Sequence, residues 1–137
     1  MTQEHLYRLR DIQTELENIN TVITSTQSIG QLIDLGGVLS SWIAYTGEQM
    51  SVAKRIWRNE TAKAYDNHIF SKMAQGMQIQ ATLANRYATA KAGNYEAIWE
   101  SIERTNRTCV HILDFLRTAI SALKEENKAY SQNNNTL

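Results

Sequence analysis

Leu9, Ile12, Leu16, Ile19 and Ile23 recur at intervals of 3 and 4 residues, which brings all five onto one seam of a slightly underwound helix. A helix of about 20 residues is predicted, ending in the hydroxyl-rich stretch "TSTQSIG", whose side chains can accept from the free amides of the next helix. Leu32, Leu35, Leu39 and Trp42 resume the same spacing, and no proline follows. The second helix is therefore predicted to run some 40 residues. Beyond Trp42 its stripe weakens to Met50, Ala53, Trp57 and Ala64, with Thr61 and His68 intruding. That half is expected to be less deeply buried. Gly36 and Gly37 lie inside this helix and are read as close packing or a bend. Residues 74–95 carry Gly76 and Gly93 as punctuation, with a two-turn helix expected from Thr82. The clearest pattern closes the chain: Ile98, Ile102, Thr105, Cys109, Ile112, Leu116, Ala119 and Leu123 predict a third long helix of about 30 residues.

The absence of proline and the presence of only six glycines in 137 residues leave few helix breakers, so the fold class is all-α. Helices this long span about 45 to 60 Å, and three of them make an elongated bundle with coiled-coil-like seams. One helical domain is expected over residues 1–130. The tail from Ser131 to Leu137, polar except for its last residue, is expected to be disordered. Val110, Leu113, Phe115 and Ile120 widen the apolar arc of the closing helix beyond what one neighbour covers. This predicts a homo-oligomer joined through Ile98, Ile102, Cys109, Ile112, Leu116 and Leu123; the competing reading turns those side chains inward in a monomeric three-helix bundle.

Little in the chain points to catalysis. Cys109 and His111 are two residues apart, on opposite sides of a helix, and cannot pair as nucleophile and base. Cys109 sits on the apolar seam, where a thiol behaves as a small hydrophobe. His5, His68 and His111 are far apart with no metal-ligand spacing, and no phosphate-cradling glycine loop occurs. The expectation is a protein without enzymatic activity, metal or cofactor. A single cysteine and an N-terminus without an apolar run suggest a cytoplasmic protein with no membrane partner.

Fourteen basic residues balance fourteen acidic ones, yet the charge is uneven along the chain. Residues 1–50 carry a net of minus four, residues 51–91 plus five and residues 92–137 minus one. The positive stretch contains Lys54, Arg55, Arg58, Lys63, Lys72, Arg86 and Lys91, interleaved with Trp57, Tyr65, Phe70 and Tyr87. Cations for phosphates and flat rings for bases are what single-stranded nucleic acid requires, so these cations and Trp57 form the candidate binding set. The alternative is a solvated charged face around a core tryptophan.

The blocks "VLSSWIAYTGEQMSVAKRIWRNETAKAY" and "ILDFLRTAISALKEENKAY" resemble the UvsY-type recombination mediators of tailed phages. The resemblance implies a helical homo-oligomer that binds single-stranded DNA and works beside a recombinase and a single-strand-binding protein. It places the DNA contacts at Lys54, Arg55 and Arg58, with Lys63 behind them, and assigns assembly to the closing helix. Two other functions suit the same helical content: a protein-binding inhibitor or adaptor, such as an anti-defence protein, and a structural coiled-coil component.

Overall fold

The computed structural model of the chain describes residues 1–135, which form four helices and no strand: α1 (Gln3–Ser25), α2 (Ile29–Ala74), α3 (Ala81–Lys91) and α4 (Gly93–Asn135). Local chemistry accounts for each end. Thr2 caps α1, its hydroxyl accepting from the His5 amide while His5 Nδ1 accepts from the Thr2 amide, a reciprocal box that satisfies two otherwise orphaned donors. Between α1 and α2, Thr26 closes back on the Val22 carbonyl with both its amide and its hydroxyl, and Ser28 Oγ accepts from the Gln31 amide. At the far end of α2, Gly76 adopts φ +73°. Its amide donates to the Met73 carbonyl and that of Met77 to Lys72, the left-handed reversal that a side chain with a Cβ resists.

The helices are longer than their apolar stripes. α2 reaches 46 residues and α4 reaches 43, because the polar ends contain no breaker and lose little by remaining helical. α3, with 11 residues, is a turn longer than expected. Residues 131–135, expected to be disordered, continue α4 as an exposed helical end; residues 136 and 137 of the expected tail lie outside the described residues.

Where one domain is expected, the chain divides into two compact units, one made of Thr2–Thr46 with Arg104 onward and one of Gly47–Glu103. The buried polar residues Thr46, Gln49 and Thr105 all lie within a turn of these boundaries along the chain, where the run of large apolar side chains is interrupted.

The first unit is a three-helix bundle of α1, the first half of α2 and most of α4. Ile19 and Ile23, Leu32 and Leu39, and Ile112 and Leu116 form its core, two residues from each helix, with Leu16, Leu35, Trp42, Leu113 and Ile120 packed around them. Each such side chain contributes about 1.5 to 3 kcal/mol on burial. Gly36 faces α4, where a Cβ would reach van der Waals contact with Leu116 Cδ2 at 3.4 Å, whereas Gly37 faces open space. Polar contacts fix the register: Gln13 Nε2 donates to Thr105 Oγ1 at 2.9 Å, and Asn106 Nδ2 donates to Thr46 Oγ1 at 2.9 Å and to the Ile43 carbonyl at 3.1 Å.

The α4 seam is thereby consumed within a single chain. Ile102, Cys109, Ile112 and Leu116 are buried in the monomer, so they do not present the subunit interface expected of them, while Ile98 and Leu123 are half-buried. The reason is stoichiometric: α1 and α2 supply matching seams, and the three satisfy one another. Cys109 is fully enclosed and burial pushes its thiol up to about 11, which suppresses the reactive thiolate.

Candidate nucleic-acid interface

Gly47–Glu103 contains the basic stretch and is built differently. Its buried hydrophobic residues are Ala53, Ala84, Ala88, Ala92 and Ile102, so small side chains allow close helix approach but remove little apolar area from water. Ala84, Ala88 and Ala92 recur every fourth residue and make the inner face of α3 and the link to α4. Aromatic pairs supply much of the remaining packing. Trp57 on α2 stacks on Trp99 of α4 at 5.2 Å between centroids and 23° between planes, and His68 of α2 stacks on Tyr87 of α3 at 4.0 Å and 19°.

An open cleft of about 360 Å³ lies over this part of α2, lined by Trp57, Arg58, Thr61, Ala62, Tyr65, Asp66 and Asn85. Its origin is visible in the helical register. Residues 57, 61 and 65 form one row along α2 and residues 58, 62 and 66 the next. Thr61 and Ala62 are the small members of each row, so a depression opens between Trp57 and Tyr65. Asn85 contributes the α3 wall. The Thr61 hydroxyl donates to the Trp57 carbonyl at 2.8 Å, which keeps it down along the helix and preserves the hollow.

The expected cations divide into two groups. Lys54 Nζ sits 5.6 Å from the Trp99 ring centroid in a cation–π contact and is half-buried; it supports the tryptophan pair and is not part of an open row with Arg58. Lys63 pairs with Glu60 at 3.3 Å, an exposed bridge worth little. Lys72 closes the last turn of α2. Arg55, Arg58, Arg86 and Lys91 are exposed, and among the described residues none of these four has an ion-pair partner. Only Arg58 lines the cleft. Trp57 is half-buried, one part of it given to Trp99 and another to the cleft wall.

Comparison with known proteins finds no matching family model, no similar curated protein and no similar solved structure.

Folding also changes the charge balance. Gly47–Glu103 holds seven basic and six acidic residues, a net of plus one, because Glu48, Glu96, Glu100 and Glu103 fold into the same unit as the basic stretch. The plus five counted along the chain is thus a property of the linear sequence. Two members of the cleft, Asp66 and Asn85, carry no sequence signal of their own; Thr61 does, as a polar interruption of the apolar stripe four residues from both Trp57 and Tyr65. Among the described residues no group of three His, Cys, Asp or Glu side chains is arranged to hold a metal ion, and no helix is long and apolar enough to cross a membrane.

Proposed function

We propose that this chain is a single-stranded DNA-binding accessory protein of recombination, of the mediator kind that its two sequence blocks resemble, acting beside a recombinase or a single-strand-binding protein. One observation carries the reading: an aromatic-walled cleft on α2 opens next to an arginine with no ion-pair partner, with Arg55 exposed one turn before it. A base can lie against Trp57 or Tyr65 while Arg58 and Arg55 take the phosphates on either side. Rings exposed on one face suit unpaired bases; a duplex keeps its bases stacked inside.

The interface is small, and its salt dependence follows from that. With Lys54 on Trp99 and Lys63 on Glu60, the four exposed cations Arg55, Arg58, Arg86 and Lys91 remain for the backbone. The log of the association constant for a single strand should then fall with log salt at a slope of about −3. Fluorescence anisotropy with a labelled single strand and the matching duplex across a salt series tests this. Single-strand binding with that slope, lost in the Arg55→Glu/Arg58→Glu variant, is the expected result. Binding of neither DNA at low salt by a folded protein rejects the proposal.

A protein-binding adaptor is the second reading, favoured by a specific feature. Phe70, Met73, Met77 and Leu83 are all exposed around the α2–α3 turn, and flexible methionines suit adaptable protein contacts. It predicts no salt-dependent affinity for DNA.

A further inference from the structure

The cleft holds one group that phosphate binding does not explain. Asp66 is the sole acid between residues 61 and 95, it lines the hollow with Trp57 and Arg58, and it is exposed with no ion-pair or hydrogen-bond partner among the described residues. A carboxylate beside a phosphate is repulsive. Asp66, however, is eight residues from Arg58, about 12 Å along the helix, so the cleft has a cationic end beside Trp57 and an acceptor end beside Tyr65. The acceptor character is reinforced locally: the Thr61 hydroxyl has committed its proton to the Trp57 carbonyl and has only lone pairs to offer.

We infer that the cleft selects the base as well as the strand, taking an unpaired guanine with its edge toward Asp66 and its 5′ phosphate toward Arg58. The inference rests on the single-strand reading above. Guanine alone among the four bases presents two neighbouring donors, N1–H and the N2 amino group, which match the two oxygens of a carboxylate as a bidentate pair. Adenine and cytosine offer one amino group each beside an acceptor nitrogen. Thymine places carbonyl oxygens on both sides of its single N–H, and these oppose the carboxylate. The Asn85 amide, on the α3 wall, can donate to guanine O6 because it has both donor and acceptor atoms. Trp57, backed by Trp99, supplies the stacking face.

Competition at fixed moderate salt tests this. A labelled all-thymine strand of about 12 nucleotides is displaced by four unlabelled strands of equal length: all-thymine, and thymine interrupted by isolated guanines, adenines or cytosines, spaced to prevent guanine self-association. The guanine strand is expected to compete about fivefold or more better than all-thymine, with adenine and cytosine between them. Asp66→Asn, at an exposed position, should weaken the guanine strand about fivefold, down to the level of all-thymine, while the all-thymine strand, which takes no hydrogen bond from the carboxylate, binds no worse. Arg58→Glu should weaken all four strands together. Equal competition by the four strands, or a preference that survives Asp66→Asn, overturns base selection and leaves single-strand binding standing. Failure of every strand to bind at low salt removes both.

Discussion

The two units of this chain use the same secondary structure for different ends. The bundle of α1, the first half of α2 and most of α4 buries leucines and isoleucines two per helix, and its half-buried amides Gln13 and Asn106 reach the buried hydroxyls Thr105 and Thr46 and the Ile43 carbonyl at 2.9 to 3.1 Å. Gly47–Glu103 buries four alanines and one isoleucine, exposes Phe70, Met73, Met77, Leu83 and Tyr87, and encloses Gln49 Oε1 and Trp99 Nε1 without a hydrogen-bond partner. Each orphaned polar atom costs about 1 to 3 kcal/mol. Helix alone therefore says little about where stability resides; the size of the side chain at each seam position decides it. The unit with the smaller buried side chains is the one with a cleft and uncommitted cations, as expected where surface is kept for a ligand.

This contrast can be broken most forcefully at the bundle core. Leu116→Ala, at a fully buried position against α2, should lower stability by about 3 kcal/mol, read as a shift in the urea midpoint at constant slope. A loss under 1 kcal/mol would mean that the bundle is no better packed than its neighbour.

Cys109 provides the next largest effect. Its thiol, raised by burial to about 11 from an ordinary value near 9, stays protonated in the folded chain while the unfolded chain ionises. The folded state binds the extra proton, so stability is intact below pH 9 and falls as pH rises toward 11, by about 2 to 3 kcal/mol. Urea titrations of wild type and Cys109→Ala at a series of pH values should show the fall over that range in wild type and a shallower one in the variant. Parallel curves would contradict the burial.

Gly76 sharpens the comparison from the other side. A Cβ there meets nothing within 4 Å, so Gly76→Ala tests only the cost of the +73° backbone, about 1 kcal/mol. Thermal melts should show a small drop. An unchanged midpoint would mean that the turn relaxes freely and contributes nothing to the order of Gly47–Glu103.

Most of the fold was legible along the chain because the seams are written at 3- and 4-residue intervals. Leu9, Ile12, Ile19 and Ile23 are all buried, and so are Ile102 through Leu116 at every seam position. The fading stripe beyond Trp42 matched a shallower region. What stayed hidden depended on contacts between distant residues. Lys54 is drawn to Trp99, 45 positions away, which no local spacing reveals. Glu96, Glu100 and Glu103 join the basic stretch only on folding. A seam on α4 can serve a second copy or its own chain equally well on paper, and the choice was made by α1 and α2. Asp66 and Asn85 became candidate site residues only when α3 brought a wall to α2.

Hydrogen exchange measured with and without a single-stranded oligonucleotide tests the division of labour most directly. DNA should slow exchange in residues 54–66 and across α3, leaving α1 and the 108–120 segment of α4 unchanged. Protection falling on α1 or on that part of α4, with 54–66 unaffected, would contradict the account.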